Sequence, residues 1–221
     1  MSQVGFVGAG RMGAPMVRRL VESGHSVRAF ARTAEKSAAV EQLGAQPVEA
    51  LSEVADGADV VAVCVFTDDQ VREICVDGGL LDAMPPGSVL IVHTTGSPRT
   101  AEALAARSLP LLGVVIGSVL ASYGDPILHV GGLGAGQWVK LINNTLFAAQ
   151  LGVLREAVAF GNRVGVDEAG LLQAVGHGSG ASRAAEIVGT RGSVQEFIDS
   201  VAEFIGKGVA VGRQIAPRTG S

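Results

Sequence analysis

Two groups of residues in this chain have the types and spacing to do chemistry. The first is Gly8-Ala9-Gly10-Arg11-Met12-Gly13, a G-x-G-x-x-G set between a short apolar run, Gln3 to Val7, and a helical pattern, Met12 to Glu22. In that setting Gly8 permits a tight turn, Gly10 lets a pyrophosphate approach backbone, and Gly13 lets helix and sheet pack closely. Amides at the helix N-terminus, with Arg11 and Met12 in the loop, then face the phosphates. About twenty residues further on, dinucleotide-binding folds place an Asp or Glu on the ribose hydroxyls. This chain has Ala31-Arg32-Thr33 there. An arginine pairs with a 2′-phosphate and a threonine adds a hydroxyl, which predicts a nicotinamide cofactor, NADP(H) in preference to NAD(H). The plainer alternatives are a simple strand-to-helix turn and a solvated arginine at a strand end.

The second group is Lys140 and Asn144, four residues apart and so on one helix face. Val139, Leu141, Ile142 and Leu146 surround them. Apolar surroundings disfavour a lysine's charged form, which suits it to exchange a proton with a hydroxyl while hydride leaves the adjacent carbon. Asn144 would hold the lysine or that hydroxyl. A helical lysine is also the commonest kind of surface charge, so the spacing alone leaves both readings open.

The elements that must position these residues fall into two sets. Strand patterns at Gln3 to Val7, Ser26 to Ala31, Asp59 to Phe66 and Ser88 to His93 alternate with helical ones at Met12 to Glu22, Ala34 to Leu43, Asp69 to Ile74, Leu80 to Met84 and Pro98 to Arg107. That alternation predicts a doubly wound parallel α/β sheet, a Rossmann domain over residues 1–133. From Gln137 to Val164 runs one long helical stretch without proline. Asp167 caps a further helix to about Val175, and Ser193 to Gln214 is mainly helical, so residues 134–221 form an all-α domain.

Composition excludes several classes. A net charge of −4 without a basic run argues against a nucleic-acid partner. Ser108 to Gly124 is the longest uncharged stretch, and glycine, proline and serine break it as a membrane span. Cys64 and Cys75 fit neither a redox pair nor a zinc knuckle. His25, His93, His129 and His177 are scattered, so no metal site is expected. Charged residues and the glycine loop interrupt the N-terminus, so no signal peptide is expected and the plain reading is a cytoplasmic protein.

The stretch GFVGAGRMGAPMVRRLVESGH closely resembles the opening fingerprint of the beta-hydroxyacid dehydrogenase family, which includes 3-hydroxyisobutyrate dehydrogenase. ARTAEK resembles its NADP-type second-strand ending, His93-Thr94-Thr95-Gly96-Ser97-Pro98 its substrate-binding segment, and Gly134 to Asn144 (GAGQWVKLINN) its catalytic signature. The resemblance implies a Rossmann domain followed by a helical domain like that of 6-phosphogluconate dehydrogenase. It makes Lys140 the acid/base, Asn144 its partner, and Thr94, Thr95 and Gly96 neighbours of substrate and nicotinamide. It further implies that Phe66 and Thr67 border the cofactor, that Lys207 lies near it, that Gly178-Ser179-Gly180 and Ser182 form a helical-domain loop, and that the chain is a homodimer.

The chain departs from that pattern in three places. A block that includes the family's substrate loop is expected to be missing between about Gly113 and Ser118, and Val119 to Val130 resembles a later helix and strand. The family's Lys-Asp pair reads Lys207-Gly208. The chain ends at Ser221, so the helical domain is expected to be shortened. The favoured expectation is hydride transfer between NADP(H) and a small beta-hydroxy acid or semialdehyde. The alternatives are a cofactor-binding sensor or interaction protein without catalysis, and an imine reductase.

Overall fold

A computed structural model of the chain describes residues 1–106 and 114–215. Two compact units divide at Gly136, Met1–Gly136 and Gln137–Ser221. The first begins with β1 (Gln3–Val7), α1 (Gly13–Glu22), β2 (Ser26–Phe30), α2 (Ala34–Gln42), β3 (Gln46–Val48), α3 (Leu51–Ala55) and β4 (Val60–Val63). It continues through α4 (Asp68–Arg72), a π-helical turn (Glu73–Asp77), α5 (Leu80–Ala83), β5 (Val89–Val92), α6 (Pro98–Ala105) and α7 (Val114–Ala121). All strand pairs are parallel, in the order β3-β2-β1-β4-β5. The chain winds outward from β1 in both directions, so the strand order reverses between β1 and β4, the place where sheets of this kind bind ligands at their carboxyl edge.

Alternation along the strands feeds two cores. Val4, Phe6, Val60 and Ala62 face α1, where they meet Val17 and Leu20, and Val119 of α7. Val7, Val61 and Val63 face the other side, against Val54, Val71, Leu80 and Leu104. Successive side chains of a strand point to opposite faces, and a parallel sheet covered on both must be apolar at every position. Hence β4 is buried throughout. Full burial of a side chain such as Phe6 contributes about 1.5–3 kcal/mol.

Several elements differ from the sequence reading. The segment around Val48 and Leu51, outside the strand and helix patterns of the sequence, holds strand β3 and helix α3. β5, expected as a strand over Ser88 to His93, is half-buried along its length. The four-residue run VLIV has no partner on its far side among the described residues. The expected break between Gly113 and Ser118 falls partly outside the described residues, while α7 already begins at Val114. The strand expected by resemblance before Val130 does not form: residues 125–130 carry no strand, and Ile127, Leu128 and Val130 are exposed.

The second unit is helical. It holds most of α8 (Ala135–Arg163), then α9 (Glu168–Gly176), α10 (Arg183–Gly189), which the sequence reading left unassigned, and α11 (Val194–Ile215). Its core joins Leu151, Leu154 and Val158 of α8 to Leu172, Val188, Val194 and Phe197. The turns are fixed by capping. Asp167 accepts from the Gly170 amide at 2.9 Å and Ser182 from that of Ala185 at 3.1 Å. Glu168 reaches the Val194 amide at 2.7 Å and ties α9 to α11. No described helix is long and apolar enough to cross a membrane.

Candidate cofactor and substrate site

The β1–α1 loop is built by backbone crowding. Gly8 has φ +100°, and a Cβ there would lie 2.2 Å from the Cys64 carbonyl oxygen. A Cβ on Gly13 would lie 2.1 Å from the Gly8 carbonyl oxygen and 2.8 Å from the Phe6 ring. These two glycines let the loop fold down on the ends of β1 and β4. Gly10 differs, because a Cβ there would meet nothing within 4 Å, so the loop keeps open room beside it. Helix α1 has no side-chain cap and no acidic residue in its first turn, and Met12 at its N-cap is exposed. In that turn the Ala14 amide donates to the Gly10 carbonyl at 2.8 Å and Pro15 has no N–H, so the end a phosphate would face is the loop leading to Gly13. A glycine cradle, open space beside Gly10 and a helix start without a side-chain cap fit a dinucleotide's pyrophosphate.

At the end of β2, Ala31 is buried and its amide donates to the Val48 carbonyl at 2.9 Å. Arg32 turns outward, with its guanidinium 5.6 Å from the centre of the Phe30 ring. That cation–π contact holds the planar fork at the sheet edge. Thr33 caps α2, its hydroxyl oxygen accepting from the Lys36 amide at 3.3 Å. No carboxylate follows β2 until Glu35, in the first turn of α2.

Two further loops are clamped together. After β4, Thr67 caps α4, and Gln70 reaches back to accept from the Phe66 and Thr67 amides at 2.8 and 3.1 Å. After β5, the buried Thr94 donates its hydroxyl to the Val65 carbonyl at 2.9 Å. Both carboxylate oxygens of Asp68 accept from the Ser97 amide, at 3.1 and 3.0 Å, at the start of α6. Gly96 is required there, since its Cβ would fall 2.2 Å from the Asp68 carboxylate. Phe66, Thr67, Thr94 and Thr95 are thereby brought to one edge of the sheet. Asp68 and Gln70 were absent from the sequence reading. Thr67-Asp68-Asp69-Gln70 carries the capping-box spacing that reveals Gln70, whereas the reach of Asp68 to Ser97 needs the fold.

Lys140 and Asn144 lie one turn apart on α8, Lys140 exposed and Asn144 half-buried. The apolar neighbours divide: Leu141 is buried, while Val139, Ile142 and Leu146 are exposed. Lys207 is half-buried on α11.

A sequence profile described as the NAD binding domain of 6-phosphogluconate dehydrogenase matches residues 3–132, over half of the chain. A second, the NAD-binding domain of NADP-dependent 3-hydroxyisobutyrate dehydrogenase, matches residues 134–199. The 3-hydroxyisobutyrate dehydrogenase of Pseudomonas aeruginosa is 30% identical over 213 residues, covering 82% of this chain and 72% of that protein. The chain belongs to the beta-hydroxyacid dehydrogenase family. As a member it is an NAD(P)-dependent oxidoreductase that acts on small molecules. A crystal structure of 3-hydroxyisobutyrate dehydrogenase from Salmonella typhimurium superposes with a TM-score of 0.76 at 23% identity, covering 98% of this chain and 87% of that one. An imine reductase from a Pseudomonas species reaches 0.61 at 16% identity, over 93% and 78%. Both likenesses show the fold: a Rossmann domain and a helical domain, as the family fingerprint implied.

Proposed function

We propose that this beta-hydroxyacid dehydrogenase prefers NADP(H) and interconverts a small beta-hydroxy acid and its semialdehyde. The carrying observation is Arg32, presented on the Phe30 ring at the end of β2, where a carboxylate would repel a 2′-phosphate. The NADP-dependent description of the profile matching residues 134–199 supports the same preference. The cofactor domain is taken as residues 1–133 and the helical domain as 134–221.

When bound, the nicotinamide accepts or supplies the hydride. The chain's own residues do the rest. Gly8, Gly10, Arg11, Met12 and Gly13 seat the pyrophosphate. Ala31, Arg32 and Thr33 hold the adenosine ribose and its phosphate, and Phe66, Thr67 and Lys207 border the cofactor. Lys140 takes the hydroxyl proton as hydride leaves the carbinol carbon, and returns it in reduction. Asn144, one turn along α8, steadies that hydroxyl. Thr94 shapes the substrate segment through its bond to the Val65 carbonyl, and Thr95 offers a hydroxyl to the substrate.

A homodimer completes this reading. Val139, Leu146, Val153 and Phe160 recur every seven residues along α8 and are all exposed, as is Ile142. A repeat of that kind suits packing against another helix, and light scattering of the purified chain tests it. A cytoplasmic setting also belongs to the reading, and Cys64 and Cys75 are free thiols.

The test is a pair of fluorescence titrations, NADPH against NADH, followed by a panel of short beta-hydroxy acids and semialdehydes. Tighter NADPH binding and turnover that depends on Lys140 are expected. Tighter NADH binding overturns the cofactor preference. Nucleotide binding without turnover leaves a cofactor-binding sensor instead.

A further inference from the structure

The carboxyl end of β5 carries a contact that cofactor binding does not use. His93 extends β5 by one residue, its amide donating to the Val63 carbonyl at 2.9 Å. Its Nε2 lies 2.9 Å from the Tyr123 hydroxyl. The two rings meet edge to face, with centroids 5.5 Å apart and planes at 72°. Tyr123 comes from the turn after α7 and packs on the same core as Val119 and Cys64. Burial lowers the pKa of His93, and burial followed by the nearby Cys64 pushes Tyr123 up to about 12. Both groups are therefore neutral near pH 7, and a neutral hydrogen bond joins them.

That bond stands at the entry to a tightly held segment. Thr94 is fixed through Val65, and Ser97 through Asp68. Thr95 lies between the two clamps, half-buried, and among the described residues no hydrogen bond takes its hydroxyl. Downstream the chain returns to the same loop, since a Cβ on Gly134 would lie 3.2 Å from that of Pro98. Tyr123 and Gly134 thus bracket a span whose ends both rest on the β5–α6 connection. At the Tyr123 end, beside its packing on the core, the link to β5 is one hydroxyl and one ring edge.

We propose that Tyr123 is a positioning residue for substrate: through His93 it holds the Thr94–Gly96 segment so that the Thr95 hydroxyl meets the substrate's polar end. This rests on the reading of Thr94–Gly96 as the substrate segment. On the same reading the pyrophosphate and the adenosine ribose are held by the loops after β1 and β2, while the Tyr123 hydroxyl bonds His93 after β5, so NADPH affinity should rest mainly on those loops.

Tyr123→Phe keeps the ring and its edge contact and removes only that hydroxyl. The expected result is a substrate KM raised about three- to tenfold, the worth of one neutral hydrogen bond. Turnover at saturation and NADPH affinity should each stay within about twofold, a split that general loosening of the fold would not give. His93→Phe should raise KM alike, and the double variant should be no worse than either single one. Should His93→Phe fail to fold, Tyr123→Phe alone decides. An unchanged KM in Tyr123→Phe overturns the role, as does NADPH affinity that falls in step with KM. A wild-type chain that binds NADPH but turns over no member of the panel removes the dehydrogenase reading, and this role with it. Wild-type turnover with KM indifferent to Tyr123→Phe removes this role alone.

Discussion

In the first unit, a Cβ added at Gly13 would stand 2.1 Å from a backbone oxygen, and one at Gly96 2.2 Å from a carboxylate. In the second, a Cβ at Gly152 or Gly189 would meet nothing within 4 Å. The first unit uses glycine where two stretches of chain must touch, and those contacts lie at the carboxyl edge of the sheet. The second also carries glycines inside helices with open space around them, such as Gly152, where each weakens the helix by about 1 kcal/mol relative to alanine. The contrast separates two tasks. On the proposed reading the sheet holds a cofactor by backbone shape that tolerates little change, whereas the helical unit offers side chains, Lys140 and Asn144, from a helix in which Gly152 has open space and only Gly161, where a Cβ would lie 3.0 Å from Leu171, is closely packed.

If that division of labour is right, the largest effect comes from the helical unit and falls on chemistry alone. Lys140→Ala should lower turnover by about 10²- to 10⁴-fold, the usual contribution of a positioned acid/base, and leave NADPH affinity within a few-fold. Steady-state rates beside a fluorescence titration measure both. Undiminished turnover would break the comparison, because the second unit would then supply no chemistry.

The converse prediction lies in the first unit. Arg32→Ala should weaken NADPH by about 10- to 100-fold, the worth of a charge-assisted hydrogen bond, and change NADH little. Equal loss for both nucleotides would leave Arg32 as a general surface charge. Arg32→Lys should recover only part of the difference, because an ammonium lacks the planar fork and stacks less well on Phe30 than the guanidinium 5.6 Å from that ring.

Two glycines of one loop sharpen the comparison further. Gly13→Ala forces a methyl against the Gly8 carbonyl and the Phe6 ring, and should destabilise the first unit by about 1–3 kcal/mol. Gly10→Ala meets no protein atom within 4 Å, so its melting temperature should match the wild type. Its nucleotide affinity should still fall on the order of tenfold, because the methyl occupies room left for the pyrophosphate. Thermal melts with and without NADPH distinguish the pair. A Gly10→Ala protein that binds normally would place the phosphates elsewhere.

The same physics explains what was legible in the sequence. Gly8, Gly10 and Gly13 stand out because backbone contact demands the one residue without a side chain, and β4 because burial on both faces demands Val-Val-Ala-Val. β3 did not stand out: three residues, one of them Pro47, are too few for alternation, and only pairing with β2 makes a strand of them. That β5 is only half-buried was not legible, because a short apolar run looks alike at an edge and at a centre. Asp68 and Tyr123 were invisible for a different reason. Their partners, Ser97 and His93, lie 29 and 30 residues away, and nothing in residue type announces such a contact. The apolar setting expected around Lys140 is divided, since only Leu141 of its four neighbours turns into the core.

The smallest effect should have the opposite sign. Gly152 lies inside α8, next to the buried Leu151 and about three turns beyond Lys140, and has open space where a Cβ would go. Gly152→Ala should stabilise the second unit by about 0.5–1 kcal/mol, through helix propensity and a less flexible unfolded chain. Chemical denaturation followed by helical circular dichroism would show a higher midpoint and an unchanged slope. A destabilised variant would mean that another chain packs closely against α8 at this point, as a homodimer built on the exposed repeat of Val139, Leu146, Val153 and Phe160 would require.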